Sequence, residues 1–299
     1  MTDHVRDELC GVFAPMVTPF KDDELFIDGL IANVEQMNCS GLRGYFVLGT
    51  NGEYKSLNFE EQTRVLTAVV KHRSSDKVVM AGCGAESTKA TIDAVNRAVD
   101  CGADLVTLLM PHFFAKRITP EIMVSYIIEV ADLSAVPVLL YNNPSVAAGV
   151  GIGPEVIKEV KGHPNVIGIK DSSRQSWRSN LEAAAGDDFS VLAGSANYFF
   201  DLLEVGGRGG VLSLANVFPG RCANLYRVFM DGKREEAGKL NEELVSLNRS
   251  VSGSYGVAGV KAAMDLVGFS GGLPRKPLPG LSGPELQSLE EAVRAAGFL

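Results

Sequence analysis

The chain has 299 residues, of which 46% are hydrophobic, and a formal net charge of −8 at pH 7. This length and composition predict a globular protein with one large α/β domain or two ordinary ones. The acidic balance, which no cluster of Lys and Arg offsets, argues against binding of nucleic acid or anionic membranes and favours small metabolites as partners.

Short apolar runs rich in β-branched residues predict eight strands. They are Val12–Val17, Gly44–Leu48, Val78–Gly82, Leu105–Met110, Val136–Tyr141, Val166–Lys170, Val191–Gly194 and Val211–Leu214. Segments with helical periodicity lie between them, at Phe26–Cys39, Phe59–His72, Ser87–Cys101, Pro120–Leu133 and Pro154–Lys161. This repetition of strand and helix predicts an α/β fold in which eight parallel strands close into a (β/α)8 TIM barrel.

The pattern changes after the last predicted strand, where only helical segments follow. They are Pro219–Met230, Lys233–Leu247, Val257–Leu266 and Ser282–Ala296. We therefore expect a catalytic barrel over residues 1–222 and a C-terminal helical appendage over residues 223–299.

Local signals mark the ends of several elements. Asn58 with Glu61, Ser87 and Thr119 are typical helix N-caps, and Gly102 is typical of the position after a helix. The glycine cluster 206–210 precedes the eighth predicted strand, so it is interpreted as a tight turn at the bottom of the barrel rather than a phosphate site.

The sixth predicted strand ends in Lys170, which is the main functional signal of the chain. Side chains alternate along a strand, so Val166, Gly168 and Lys170 share one face, and Gly168 is expected to leave room beside the lysine stem. Active sites of TIM barrels lie at the carboxyl ends of the strands, where desolvation can turn a lysine into a nucleophilic free amine. A lysine that simply extends from the strand end to water is the alternative.

Other predicted strands also end in polar residues. They supply Thr50 and Asn51 in Gly49–Glu53, and Tyr141 in Tyr141–Pro144. Schiff-base chemistry requires an amine, a group that transfers protons and donors for a neighbouring carboxylate. Tyr141 is the candidate proton shuttle, with a core tyrosine bonded to backbone as the alternative. Glu53 is interpreted as a structural carboxylate.

Three motifs, Gly49–Glu53, Tyr141–Pro144 and Gly168–Asp171, resemble those of the dihydrodipicolinate synthase / N-acetylneuraminate lyase superfamily of pyruvate-dependent class I aldolases. The resemblance covers nearly the whole chain. It implies a homotetrameric lyase, without cofactor or metal, that acts on pyruvate and an aldehyde. It also implies that Lys170 forms the imine with pyruvate, that Tyr141 and Thr50 relay protons, and that the substrate is bound by Thr50, Asn51, Ser172 and Gly194.

Within this superfamily, several segments are most similar to 4-hydroxy-2-oxoglutarate aldolases. They are Ala81–Thr88, Ala131–Ser134, Val191–Ala196 and Tyr255–Gly272. Dihydrodipicolinate synthases have an arginine shortly after the Tyr-Asn-x-Pro motif, where this chain has Val146 and Ala147. The resemblance therefore implies cleavage of 4-hydroxy-2-oxoglutarate to pyruvate and glyoxylate, and we expect aspartate semialdehyde to be a poor acceptor.

Other functions stay open at this point. Within the superfamily they are dihydrodipicolinate synthesis, a 2-keto-3-deoxy sugar-acid aldolase or dehydratase, and a hydratase-aldolase; outside enzymes, the alternative is an oxo-acid sensor. The family often has a tyrosine from a neighbouring subunit where this chain has His112, Phe113 and Phe114. His112 is interpreted as a partly buried imidazole bonded to backbone rather than a substitute relay. The four histidines show no metal-ligand spacing.

Two further patterns bear on location. The five cysteines are odd in number, widely spaced and without a Cys-x-x-Cys motif, which predicts reduced thiols. Residues 1–8 are acidic and lack the apolar core of a signal peptide. We therefore expect a cytoplasmic protein outside the membrane.

Overall fold

A computed structural model describes residues 9–186 and 188–297; the acidic start, residues 1–8, lies outside the described residues. In the described residues, eight parallel strands pair in sequence order and close into a barrel through pairing of the first strand with the eighth. The strands are Gly11–Pro15, Gly44–Val47, Val78–Gly82, Leu105–Leu109, Val138–Asn142, Val166–Asp171, Ser190–Ala193 and Gly209–Val211. The predicted TIM barrel is confirmed.

The eighth strand departs most from its prediction, because it begins at Gly209 and ends at Val211 instead of running from Val211 to Leu214. A Cβ atom at Gly209 would lie 2.2 Å from the carbonyl oxygen of Gly11 on the first strand. The close pairing of these two strands therefore requires glycine. Residues interpreted as part of a turn belong to the strand, and Ser213–Asn216 forms a short 3-10 helix after it.

Helices surround the barrel, and the three with predicted caps begin directly after those caps. They span Ile27–Asn38, Phe59–His72, Thr88–Asp100, Pro120–Leu133, Pro154–Val160, Trp177–Ala184 and Phe199–Glu204. Asn58 and Glu61 form a reciprocal capping box, in which each backbone N–H donates to the other side chain at 2.9 Å. Ser87 and Thr119 also accept the predicted cap hydrogen bonds, and Gly102 has a left-handed φ of 88°. The last two helices are not among the segments predicted from the sequence.

The C-terminal region is helical, as predicted. Its helices span Pro219–Met230, Arg234–Asn248, Ser254–Leu266 and Gly283–Ala295, and a π-helical segment, Arg249–Gly253, precedes the third. The expected division after Cys222 falls inside the first of these helices, so the helical region starts a few residues earlier. The division into two domains stays a prediction.

A small antiparallel ribbon, Phe20–Lys21 with Glu24–Leu25, follows the first barrel strand. Buried residues of the barrel and of the C-terminal helices belong to one hydrophobic cluster. None of the helices among the described residues is long and apolar enough to cross a membrane.

A buried ion pair links the C-terminal helices to the carboxyl end of the barrel. Lys261 Nζ donates to Glu53 Oε1 at 2.5 Å and to the carbonyl oxygen of Leu273 at 3.0 Å. The second carboxylate oxygen of Glu53 accepts a hydrogen bond from the backbone N–H of Arg275 at 2.8 Å. Both charged side chains are almost completely buried. Glu53 is therefore a structural carboxylate, as the sequence predicts.

Replacing Lys261 with Met should lower the free energy of unfolding by about 3–5 kcal/mol, because the Glu53 carboxylate would stay buried without its cation. Urea denaturation followed by circular dichroism measures the change. Lys239→Met is the matched control, since Lys239 makes an exposed pair with Glu235 that contributes little. Equal midpoints for the two variants would show that the buried pair does not stabilise the fold.

Candidate active site

A cavity of about 230 Å³ lies at the carboxyl end of the barrel; we call it the lysine cavity. It is lined by Pro15, Thr50, Asn51, Tyr141, Asn143, Ser145, Lys170, Ser172, Arg174, Gly194, Ser195 and Ser213. It brings together all six residues that the sequence analysis assigns to catalysis or substrate binding. The residues described by the structure contribute two cationic side chains and no Asp or Glu to this lining.

Lys170 extends from the sixth barrel strand and is only 4% exposed. Its backbone pairs with Tyr141 on the fifth strand and with Leu192 on the seventh. Its Nζ lies 3.9 Å from the centroid of the Tyr141 ring and 4.9 Å from that of Phe46. Burial lowers the pKa of Lys170 below its ordinary value, and Tyr141 only partly opposes this effect. Lys170 therefore does not extend to water. It is a desolvated amine, as a nucleophile requires.

Gly168 has a role that the sequence did not indicate. A Cβ atom at Gly168 would lie 2.3 Å from the carbonyl oxygen of Ser190 on the seventh strand. The glycine therefore permits close approach of the sixth and seventh strands, and the expected space beside the stem of Lys170 stays a prediction. This close approach brings the end of the seventh strand to the lysine cavity.

Tyr141 is also buried, and side chains surround its hydroxyl. The hydroxyl lies 3.0 Å from Thr50 Oγ1 and accepts a hydrogen bond from Asn143 Nδ2 at 2.9 Å. The ring of Phe46 packs edge-on at a centroid distance of 5.7 Å. A core tyrosine bonded to backbone does not describe this arrangement. The phenol instead lies between two site residues: its hydroxyl contacts Thr50, and its ring contacts Lys170.

The charge of Lys170 determines the acidity of Tyr141. Burial by itself would raise the pKa of the phenol, but the Lys170 ammonium and the hydrogen bonds with Thr50 and Asn143 bring it below its ordinary value of 10.0. Because the cation that favours the phenolate is Lys170, the protonation states of these two residues are linked. Lys170 and Tyr141 can exchange a proton with each other and with a bound molecule.

The loop after the second strand supplies hydrogen-bond donors to the lysine cavity. Leu48 and Glu53, on either side of Thr50 and Asn51, have left-handed φ values of 60° and 52°. The side-chain nitrogen of Asn51 is buried without a hydrogen-bond partner among the described residues. Buried donors are normally paired, so this amide is suited to an acceptor on a ligand.

Ser172 and Gly194 form the wall where the sixth and seventh strands end. The backbone N–H of Ser172 donates to the carbonyl oxygen of Asn142 at 2.7 Å, and that of Gly194 donates to the carbonyl oxygen of Asp171, also at 2.7 Å. A Cβ atom at Gly194 would lie 2.0 Å from Ser172 Oγ. Because its N–H group is already bonded, Gly194 contributes to the cavity mainly the space that a side chain would fill.

Asp171 follows Lys170 and points away from the lysine cavity. Its carboxylate accepts hydrogen bonds from the backbone N–H of Ser173 at 2.7 Å, Asn180 Nδ2 at 2.7 Å and Asn142 Nδ2 at 3.1 Å. Burial raises its pKa above the ordinary value, and these hydrogen bonds oppose the shift. The network fixes the end of the sixth strand and the loop that leaves it.

Arg174 lies on this loop and lines the lysine cavity. Arg174 was not predicted as a site residue, because the resemblance implies an arginine only after the Tyr-Asn-x-Pro motif. The available signal was its position four residues after Lys170, on a loop that follows a barrel strand.

A second cavity, of about 220 Å³, adjoins the lysine cavity at Thr50. Val146, Val257 and Leu278 contribute to its more apolar lining, together with His112. Nδ1 of His112 lies 3.0 Å from the carbonyl oxygen of Met110, which confirms the interpretation of a backbone-bonded imidazole.

The neighbouring Phe113 and Phe114 are 76% and 69% exposed. Within residues 9–186 and 188–297, no three His, Cys, Asp or Glu side chains form a group that could hold a metal ion.

Comparisons with known proteins agree with this architecture. A family model described as the dihydrodipicolinate synthetase family matches residues 8–296. A 4-hydroxy-tetrahydrodipicolinate synthase from Methanosphaerula palustris is 32% identical over 95% of this chain and 98% of its own, and further relatives with that name are 28–33% identical. A probable mitochondrial 4-hydroxy-2-oxoglutarate aldolase from Emericella nidulans is 30% identical over 94% of this chain and 93% of its own.

Among solved structures, a prophage protein from E. coli K12, in complex with pyruvate and assigned to the dihydrodipicolinic acid synthase family, superposes with a TM-score of 0.90. It is 26% identical and covers 97% of this chain and 99% of its own. Because the family model spans almost the whole sequence, the chain belongs to the dihydrodipicolinate synthetase family, whose members are pyruvate-dependent class I lyases and aldolases.

Proposed function

We propose that the chain binds pyruvate as an imine on Lys170 and joins it to an aldehyde, or cleaves the corresponding 4-hydroxy-2-oxo acid in reverse. The observation that carries the proposal is the buried Lys170 amine, with its Nζ 3.9 Å from the centroid of the Tyr141 ring. The pyruvate complex of the E. coli prophage protein supports pyruvate as the ligand. The unpaired Asn51 amide, together with Thr50 and Ser172, would hold its carboxylate end.

In the proposed mechanism, the Lys170 amine attacks the ketone carbon of pyruvate and forms a carbinolamine. Tyr141 transfers the proton from nitrogen to the departing hydroxyl, with Thr50 as its hydrogen-bond partner, and water leaves to give the imine. Tyr141 accepts a methyl proton to give an enamine, whose carbon attacks the aldehyde carbon while the aldehyde oxygen takes up that proton. Water then releases the product and restores the Lys170 amine.

Synthesis of 4-hydroxy-tetrahydrodipicolinate from aspartate semialdehyde is the better supported reaction. Five relatives that are 28–33% identical to this chain bear the name of that synthase. The expectation that aspartate semialdehyde is a poor acceptor rested on Val146 and Ala147, which replace an arginine. Arg174 weakens that argument, because it brings a guanidinium into the lysine cavity from the next strand.

Cleavage of 4-hydroxy-2-oxoglutarate to pyruvate and glyoxylate is the second candidate. The relative from Emericella nidulans supports it. So does the aliphatic Val146 beside the second cavity.

The homotetramer also remains a proposal. The exposed side chains of Phe59, Phe113 and Phe114 supply apolar surface for a subunit contact.

Lys170 should be the residue modified when the protein is incubated with pyruvate and reduced with borohydride. Peptide mass spectrometry should locate the adduct on Lys170, and Lys170→Arg should abolish both adduct and turnover, because a guanidinium is not nucleophilic near neutral pH. Lys158→Arg, at an exposed helical lysine, is the control and should behave as the native protein. An adduct on another lysine, or none at saturating pyruvate, would refute the proposed function.

Replacing Tyr141 with Phe should lower kcat by about a hundredfold or more, the usual contribution of general acid–base catalysis. Tyr126→Phe is the matched control, because it also removes a buried hydroxyl, one that lies 2.8 Å from Thr91 Oγ1 outside the lysine cavity. Steady-state kinetics of the two variants measures the difference. A change in KM alone for Tyr141→Phe would make this residue a binding group instead of a proton shuttle.

The two candidate acceptors can be compared directly with pyruvate held at saturation. If the synthase assignment is correct, kcat/KM should be higher with aspartate semialdehyde than with glyoxylate. An equal or lower value would favour the 4-hydroxy-2-oxoglutarate aldolase and leave the imine mechanism intact.

A further inference from the structure

Arg174 is a positively charged residue of the lysine cavity, and no described residue pairs with its guanidinium by a hydrogen bond or a salt bridge. Its side chain is exposed and lines the cavity, and within the described part of the chain its guanidinium makes no hydrogen bond or ion pair. Among the described residues that line the cavity, the only other charged one is Lys170. Within this described lining, no carboxylate neutralises the guanidinium.

The backbone on both sides of Arg174 is fixed although its side chain is not paired. The N–H of Ser173 donates to Asp171 Oδ1 at 2.7 Å, and Ser173 Oγ accepts from the N–H groups of Gln175 and Ser176 at 3.2 and 3.1 Å. These bonds tie the loop to the strand that bears Lys170. The loop thus fixes the backbone of Arg174, whose side chain lines the same cavity as Lys170.

Arg174 and the expected pyruvate donors approach from different sides. Thr50 and Asn51 follow the second strand, whereas Arg174 follows the sixth, which lies across the eight-stranded barrel. If Thr50 and Asn51 bind the carboxylate of pyruvate, Arg174 remains available to bind a second anion. Arginine binds carboxylates through two parallel hydrogen bonds, which makes it a selective partner for that group.

We propose that Arg174 binds a carboxylate of the aldehyde substrate and thereby selects carboxylated acceptors over neutral ones. This inference rests on the proposed function, since it assumes pyruvate on Lys170. It assigns to a residue on the sixth-strand loop the contact that Val146 and Ala147 cannot make. It applies equally to aspartate semialdehyde and glyoxylate, both of which carry a carboxylate.

The test compares Arg174→Gln with Arg178→Gln, whose guanidinium packs on Trp177 and lies outside the lysine cavity. Condensation with pyruvate is measured with glyoxylate, aspartate semialdehyde and neutral glycolaldehyde. Arg174→Gln should lower kcat/KM for the better carboxylated acceptor by about ten- to hundredfold, the effect of losing a charged hydrogen bond, and leave glycolaldehyde almost unchanged. Arg178→Gln should change neither.

A binding measurement covers the case in which glycolaldehyde does not react. At saturating pyruvate, succinate should compete with the acceptor, and Arg174→Gln should weaken this competition at least tenfold, whereas uncharged succinamide should be unaffected. Borohydride trapping of pyruvate should stay the same in Arg174→Gln. Equal losses with charged and neutral acceptors, unchanged succinate inhibition, or reduced trapping would overturn the assignment of Arg174. Absence of trapping in the native protein would instead refute the proposed function.

Discussion

The hydrogen bonds to Asp171 hold together the functional end of the barrel. The carboxylate accepts from Asn142 on the fifth strand and Asn180 on the following helix, and the backbone carbonyl accepts from Gly194 after the seventh strand. One buried residue thus fixes three neighbouring elements. Lys170 immediately precedes it and Arg174 follows it by three residues, so the positions of both cations depend on this anchor.

The same anchor keeps negative charge away from the amine. Asp171 is adjacent to Lys170 in sequence, but its carboxylate is occupied by amide donors on the other side of the strand. A carboxylate beside Lys170 would favour the ammonium form and remove the nucleophile. Among the described residues, no Asp or Glu lines the cavity, so the proposed proton transfer relies on Tyr141 and Thr50. The alternation of side chains along a strand therefore separates a structural acid from a reactive base.

The sequence allowed much of the fold and site to be predicted, for physical reasons that also explain the failures. The helix Phe59–His72 was predicted because its capping groups are local, and Lys170 and Tyr141 were brought together because parallel strands of a barrel end on one face. Gly209 was misplaced because its role depends on the backbone of a strand about two hundred residues away. Arg174 was missed because it lies on a loop, where the sequence shows no periodicity that would indicate which side chains face the cavity.

The ion pair between Glu53 and Lys261 has a consequence for synthesis on the ribosome. The two residues are 208 positions apart, and the second contact of Glu53, with Arg275, spans 222 positions. A nascent chain can therefore expose all eight barrel strands while the loop of Thr50 and Asn51 still lacks the contacts that fix it. Domains form as synthesis proceeds from the N-terminus. In this chain, the loop that carries Thr50 and Asn51 acquires these contacts only after the segment through Arg275 has been synthesised, more than sixty residues after the eighth strand.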